Sequence, residues 1–517
     1  MPILHLFEIF DDAKIHLFEI FRKFSGKKMG LKGVFDEKIF AFPDDFLEIL
    51  RVLPKFFVNL HGNLKNGEKR RKNLGRFSDN FRKKQKNIID MTKRLLKFLD
   101  ASPVNFLAVK NIADGLETAG YKRIDAQKPL GKVKAGDKLF VTKNDSAVFA
   151  FEIGKKPLAD AGFHMICAHS DSPTFRIKPN AEMQCEGGIV KLNTEVYGGP
   201  IMSTWFDRPL TIAGRVILKG KDAMNPVTKL VHVKRPLMQI SNLAIHFNRQ
   251  VNDGVKLSKQ KDVLPILGII TDEMEKGNLL INLICKELKV KAADILDFDL
   301  YLADTQPACT FGIHDEFISS GRLDDLSMAF AGLEALLASP KSDMTKVLAI
   351  FDNEETGSQT KQGAGSPFLA TMLRRIALSQ SGTEEAFYQA VERAFMISAD
   401  NAHAWHPNYS EKYDPTNHPV LGGGPVIKFN ASQKYASDAL SAAIFAGLCE
   451  KAGVPCQRFV NHSDVAGGST LGNILASSLP VRGVDMGNAI LAMHSCRETG
   501  SVADHQYSVK VFTEFFK

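Results

Sequence analysis

The chain has 517 residues, 44% hydrophobic and 24% charged, with seven cysteines and a formal net charge of +8. That length allows roughly two to four domains, and the composition suits a globular protein with a sizeable buried core. No apolar run is long enough to span a bilayer, and no cysteines are paired as C-x-x-C; this argues against a structural zinc module or a disulfide framework and suits a reducing, cytoplasmic setting.

The charge is unevenly spread. Residues 1–90 carry 19 Lys/Arg against 12 Asp/Glu, which leaves 47 basic and 46 acidic residues in the remainder. A neutral body gives no reason to expect nucleic-acid or membrane binding by residues 91–517. The first 90 residues also hold 13 Phe, and Leu4-His5-Leu6-Phe7-Glu8-Ile9-Phe10 nearly repeats eleven residues later as Ile15-His16-Leu17-Phe18-Glu19-Ile20-Phe21. Eleven residues are about three helical turns, so the two copies can share a helix face. A basic run, Lys69-Arg70-Arg71-Lys72, follows. A membrane-surface helix, a targeting segment and a nucleic-acid arm all fit this stretch. The simpler reading is an extension without a packed core, or residues upstream of the natural start.

Met91, Leu95, Leu96 and Leu99 form one apolar stripe and predict an amphipathic helix, which Ser102-Pro103 stops. Residues 104–182 then alternate helix and strand signals, as in the first part of an α/β domain. Residues 184–312 change character: Gly187-Gly188, Gly198-Gly199-Pro200 and Lys219-Gly220-Lys221 punctuate short β runs such as Leu210-Ile212 and Arg215-Leu218, and several prolines forbid long helices. This predicts a mostly β insertion. The α/β pattern resumes at 313. Asp324-Asp325 opens a helix with the stripe Leu326, Phe330, Leu333 and Leu337, and helical patterns recur over 366–393 and 436–452. Gly467-Gly468-Ser469-Thr470 is a loop that lacks the lysine and spacing of a P-loop.

One pattern recurs along the α/β parts: an apolar run that stops at a His or an acid. Val347–Phe351 leads to Asp352-Asn353-Glu354-Glu355, Phe163–Ala168 to His169, Ala394–Ala399 to Asp400, and Ala489–Met493 to His494. Sites in open α/β sheets form at the carboxyl ends of strands. Two adjacent carboxylates at the end of a buried strand repel unless a cation lies between them. Imidazoles with carboxylates suit zinc, with cobalt or manganese as alternatives. At this level the acids also fit a helix N-terminus, and either Asp324 or Asp325 fits a helix cap.

The motifs taken together are more specific. They are Cys167-Ala168-His169-Ser170-Asp171-Ser172-Pro173, Ser319-Ser320-Gly321-Arg322-Leu323-Asp324-Asp325, Asp352-Asn353-Glu354-Glu355-Thr356-Gly357-Ser358, Ser398-Ala399-Asp400-Asn401-Ala402-His403, Gly424-Pro425-Val426-Ile427-Lys428 and Ala492-Met493-His494-Ser495. In these, in their order and in their spacing, residues 91–517 resemble the aspartyl aminopeptidase family of dinuclear metallo-aminopeptidases. Residues 1–90 have no counterpart in it.

The resemblance implies an α/β/α sandwich of the phosphorylase/hydrolase type. Residues 91–183 and 313–517 would form the metallopeptidase domain, and 184–312 an inserted β-rich oligomerisation domain. It implies two divalent ions per subunit, with His169 and Asp400 on one, Glu355 and His494 on the other, and Asp324 bridging. Asp171 would fix the His169 imidazole and Glu354 would be the general base. Lys428 is the candidate to bind an acidic substrate side chain, and His246 would reach the site of a neighbouring subunit. The expected substrates are peptides with N-terminal Asp or Glu, and the expected assembly is a homo-oligomer, commonly a dodecamer. The alternatives are the same chemistry on neutral or apolar N-termini, and a non-catalytic scaffold with the same fold.

Overall fold

The computed structural model describes residues 89–270 and 278–517; the readings made for residues 1–88 lie outside the described residues. A helix over 89–101 (α1) is followed by α2 (Asn105–Thr118), β1 (Lys122–Arg123), β2 (Lys138–Lys143), β3 (Ala147–Glu152), α3 (Leu158–Ala161) and β4 (Phe163–His169). Next come β5 (Thr174–Gln184), β6 (Ile189–Tyr197), β7 (Leu210–Leu218), β8 (Val227–His232), β9 (Ile266–Ile269), α4 (Leu279–Leu288) and β10 (Ile295–Asp304). The chain continues through β11 (Cys309–Phe311), β12 (Phe317–Ser320), α5 (Leu323–Ala338), β13 (Thr345–Phe351), α6 (Phe368–Ser381), α7 (Glu384–Arg393), β14 (Phe395–Ala399) and β15 (Ala402–His403). It ends with β16 (Val426–Phe429), α8 (Ala439–Ala452), β17 (Gln457–Val460), α9 (Leu471–Ser478), β18 (Arg482–Gly487), β19 (Ala489–Ile490), β20 (Glu498–Ser501) and α10 (Val502–Phe515).

A nine-stranded sheet carries the order β1-β2-β3-β13-β4-β14-β18-β16-β17. Its centre, β13-β4-β14-β18, is parallel. Parallel strands are covered on both faces, and β4, β13 and β14 are accordingly mostly apolar, whereas β18 carries Arg482 and Asp485. Alternate side chains point to opposite faces. Leu348 and Ile350 of β13 join one core with Ile166, Ala168 and Ile397, under α1, α2, α5, α8 and α10. Val347, Ala349 and Phe351 join a second core with Met165, Cys167 and Met396, under α3, α6, α7 and α9. The result is the expected α/β/α sandwich. Full burial of each such Val, Leu, Ile or Phe stabilises the fold by ~1.5–3 kcal/mol. Gly332 lets α5 lie close against the sheet: a Cβ there would stand 2.7 Å from Leu348 Cδ1 and 3.3 Å from Ile166 Cγ2.

A second, six-stranded sheet has the order β8-β7-β10-β5-β6-β9 and is antiparallel throughout. It packs its own core with α4. The sheet begins at Thr174, so β5 pairs here and not with the strands that precede it in sequence. The runs Leu210-Ile212 and Arg215-Leu218 are one strand, β7, which Gly214 permits by running tight against β10: a Cβ there would stand 2.0 Å from the Asp299 carbonyl oxygen. The helical pattern over 366–393 is two helices, broken at Gly382 (φ 78°). Leu337 is 40% exposed, and Leu336 takes its place in the core.

A candidate metal centre at the carboxyl ends of the parallel strands

β4 and β13 run in register, with His169 opposite Phe351, so the imidazole stands beside the turn that follows β13. That turn takes Asn353 through the left-handed region (φ 60°) into a 3-10 turn, Glu354–Thr356, closed by Gly357 (φ 96°). β14, the other neighbour of β4, ends at Ala399 and delivers Asp400. Asp324 comes from the start of α5, where Asp324 and Asp325 depart from helical φ/ψ and neither caps the helix. His494 does not end a strand of the main sheet as the recurring pattern predicts. Ala489–Ile490 pairs with β15 in a separate two-stranded sheet, and His494 follows in the left-handed region (φ 68°).

These segments bring the acids and imidazoles together. His169, Asp324, Asp325 and Asp400 form one group, and Asp324, Glu355 and His494 another; Glu354 joins His169 and Glu355 in a third. Asp324 offers one oxygen to each histidine: Oδ1 lies 3.8 Å from His169 Nε2 and Oδ2 lies 3.4 Å from His494 Nε2. Glu355 Oε2 lies 3.3 Å from His494 Nε2. The two tautomers are set from behind. His169 Nδ1 lies 3.0 Å from the Asp171 carbonyl oxygen and 3.3 Å from its carboxylate. His494 Nδ1 lies 3.1 Å from the Gly199 carbonyl oxygen. With Nδ1 donating, each Nε2 faces the carboxylates, where a cation that displaced its proton would find a lone pair.

The electrostatics also call for cations. Burial, followed by the neighbouring Asp400, Asp171 and Asp324 carboxylates, pushes Glu354 up to about 8, although His169 opposes the shift. Glu355 and Asp325 are held well above the carboxylate range, again by burial first. Asp324 is lowered: burial opposes ionisation, but the hydrogen bond to His494 and the charge of His169 outweigh it. Buried like charges hold protons until a cation replaces them, and divalent ions would release those protons and reverse the shifts. Asp324 Oδ1 and Glu355 Oε1 are buried without a hydrogen-bond partner. An orphaned carboxylate oxygen is costly unless an ion takes it. Imidazole nitrogens with carboxylate oxygens are a zinc donor set. The residues present therefore fit divalent ions, with Asp324 shared by two donor sets.

The remaining expected residues divide. Asp171 is buried, and its carboxylate accepts the N–H groups of Glu354 and Glu355 at 3.2 Å each, beyond its contact with His169. Lys428 is 3% exposed, not a surface lysine. Its Nζ donates to the Asn401 carbonyl oxygen at 3.0 Å and lies 3.4 Å from Asp400 Oδ1. Burial would lower its pKa, but the Asp400 charge and others raise it, so the ammonium stays charged. His246 is exposed in a 3-10 turn, Ile245–Phe247, and joins none of these groups.

Three contributors escape the motif reading. Asp325 Oδ2 accepts the His169 N–H at 3.1 Å, and its Oδ1 lies 3.3 Å from Asn401 Nδ2. Glu498 accepts the N–H of His494 at 2.8 Å and that of Asp324 at 3.2 Å, tying two distant segments together. Tyr197 donates to Asp171 at 2.6 Å. The only signals were the doubled Asp324-Asp325 and the four-residue spacing from His494 to Glu498.

Residues 98–516 match the model of the family described as aminopeptidase I zinc metalloprotease (M18). The chain is 51% identical over 432 residues to a probable M18 family aminopeptidase 2 of Clostridium novyi, covering 83% of this chain and 99% of that protein. It is 43% identical over 430 residues to a protein of the same name from Stutzerimonas stutzeri, covering 83% and 98%. Among solved structures, that of the Ape4 and Nbr1 complex matches with a TM-score of 0.80 and 36% identity, covering 83% of this chain and 86% of that one. The S. cerevesiae mApe1 dodecamer matches with a TM-score of 0.73 and 26% identity, covering 83% and 97%.

Proposed function

The chain belongs to the M18 family of zinc aminopeptidases and is a metal-dependent aminopeptidase; from that premise we propose that it removes an N-terminal Asp or Glu from peptides. In this reading His169 and Asp400 hold one ion, Glu355 and His494 the other, and Asp324 lies between them. Ions bound there would act as Lewis acids, polarising the scissile carbonyl and lowering the pKa of a shared water. Glu354 takes a proton from the attacking water and passes it to the leaving amine. Asp171 orients this base by accepting its backbone N–H, and keeps His169 in the ligating tautomer.

The observation that carries the acidic preference is the buried Lys428 ammonium. It has three N–H donors, and Asn401 and Asp400 account for two. Nζ also lies 5.4 Å from the centre of the Tyr435 ring, and in this reading the third donor goes to a substrate carboxylate in a setting where a charge-assisted bond is strong. The ion pair with Asp400 favours a second reading, in which Lys428 only orients that ligand and neutral N-termini are cleaved equally well. Kinetics on peptides that lead with Asp, Glu and Leu separate the two. Lys428→Met should raise KM for the acidic substrates much more than for the Leu substrate, and a wild-type enzyme that prefers Leu would contradict the acidic reading.

The proposal extends to assembly. His246 lies between Ile245 and Phe247, 48% and 82% exposed, with Leu243 at 59% close by in sequence. Such apolar exposure supports an interface between copies of this chain. We propose residues 184–312 as its oligomerisation domain, with His246 entering a neighbouring subunit's site. The mApe1 relative is a dodecamer, and a dodecamer is proposed here. Among the described residues no helix is long and apolar enough to cross a membrane.

A further inference from the structure

The segment Tyr197-Gly198-Gly199-Pro200-Ile201 leaves the end of β6, in the six-stranded sheet, and runs across a cluster built mainly on the nine-stranded one. The Tyr197 hydroxyl donates to Asp171 Oδ2 at 2.6 Å and accepts from Asn353 Nδ2 at 2.8 Å. Gly198 takes φ +69°, and a Cβ there would stand 3.1 Å from the Glu355 Cβ. The Gly199 carbonyl oxygen faces His494 Nδ1, and the Ile201 N–H donates to the His494 carbonyl oxygen at 2.9 Å. Tyr197, Gly199 and Ile201 thus bond to Asp171, Asn353 and His494, and Gly198 leaves no room for a side chain beside Glu355.

We infer that Tyr197–Ile201 is a strap through which the second sheet presets the metal-binding edge of the first, with Tyr197 as a positioning residue for the Glu354-Glu355 pair. This rests on the roles given above to Glu354, Glu355 and His494. The route is short. The Asp171 carboxylate accepts from the Tyr197 hydroxyl and from two consecutive backbone N–H groups, those of Glu354 and Glu355. A carboxylate has about four lone-pair positions, so donors from separate segments fix its plane. Deleting the phenol oxygen removes the shortest of these bonds and leaves Asn353 Nδ2 without an acceptor. The carboxylate is then free to turn, and the two glutamates lose their common anchor. Burial, and then the Asp171 and Asp352 charges, raise the Tyr197 phenol far above its ordinary value, so it remains a donor. Its ring packs edge-on to Tyr301, with centroids 5.7 Å apart, and Tyr197→Phe preserves that contact.

The test compares the full chain with its Tyr197→Phe, Gly198→Ala and Tyr301→Phe variants. Each is loaded with zinc or cobalt(II), and ion affinity, the cobalt absorption spectrum, kcat and KM are measured. Outer partners of metal ligands typically contribute about 10–100-fold in affinity or activity. Tyr197→Phe should bind the ions at least about tenfold more weakly, shift the cobalt bands and lower kcat, with KM within about twofold. Gly198→Ala, which crowds Glu355, should shift the cobalt bands with Tyr197 intact. Tyr301→Phe, which deletes the same atom type next door, should match the wild type. Wild-type ion affinity, spectrum and kcat in Tyr197→Phe would overturn the strap while the site assignment stands. If that variant does not fold, a wild-type spectrum in Gly198→Ala overturns it. A wild-type chain that takes up no ion overturns the site assignment and the strap together.

Discussion

Glu354 and Glu355 are consecutive, yet their surroundings differ. Glu355 has one oxygen 3.3 Å from His494 Nε2 and its other oxygen orphaned, the pattern of a ligand. Glu354 shares its group only with His169 and Glu355 and sits outside the one that includes His494. The same contrast separates Asp324 from Asp325. Both Asp325 oxygens face protein donors, whereas Asp324 keeps Oδ1 unpartnered. Glu354→Gln preserves shape and removes the proposed base. It should keep its zinc content and lose about 10²–10⁴-fold in kcat, the usual range for general-base removal. Metal analysis alongside steady-state rates checks this; an unchanged kcat would reassign the base.

Among the elements, α10 shows how the frame reaches the site. Asp504, in its first turn, accepts the N–H groups of Gly422 at 2.7 Å and Gly424 at 2.8 Å, fixing the loop that leads into β16 and Lys428. Burial outweighs these bonds and raises the Asp504 carboxyl from 3.8 to about 6. A carboxyl raised on folding holds its proton more tightly in the native state. Its contribution to stability is therefore complete below about 4 and is lost as pH rises through about 6. Urea unfolding from pH 4 to 6 should show a weaker pH dependence in Asp504→Asn than in the wild type, and equal slopes would contradict this. Much of the frame was legible in the chain. The central strands are largely apolar on both faces, so β4, β13 and β14 stand out by composition, and each ends at or just before a candidate site residue. Less legible was what depends on long-range pairing: β5 changing sheets at Thr174, and His494 arriving from a two-stranded sheet. Asp325, Glu498 and Tyr197 act through backbone N–H groups or through another side chain, which leaves almost no periodic trace.

At the scale of the whole molecule, the site is a meeting of segments that are far apart in sequence. His169, Asp324, the Glu354-Glu355 turn, Asp400 and His494 come from five of them, with a sixth from the second sheet across the top. No single segment holds an ion alone, so ion binding reports on the assembled fold. The chain is a metal-dependent aminopeptidase, and the preference proposed for it is for acidic N-termini. The most direct test is hydrolysis of α-glutamyl and α-aspartyl chromogenic amides by the purified chain, before chelation, after it, and after return of zinc, cobalt or manganese. Chelation should abolish cleavage and metal return restore it, and both acidic amides should be cleaved faster than the leucyl amide. Cleavage that survives complete metal removal, or none with any metal, would contradict this.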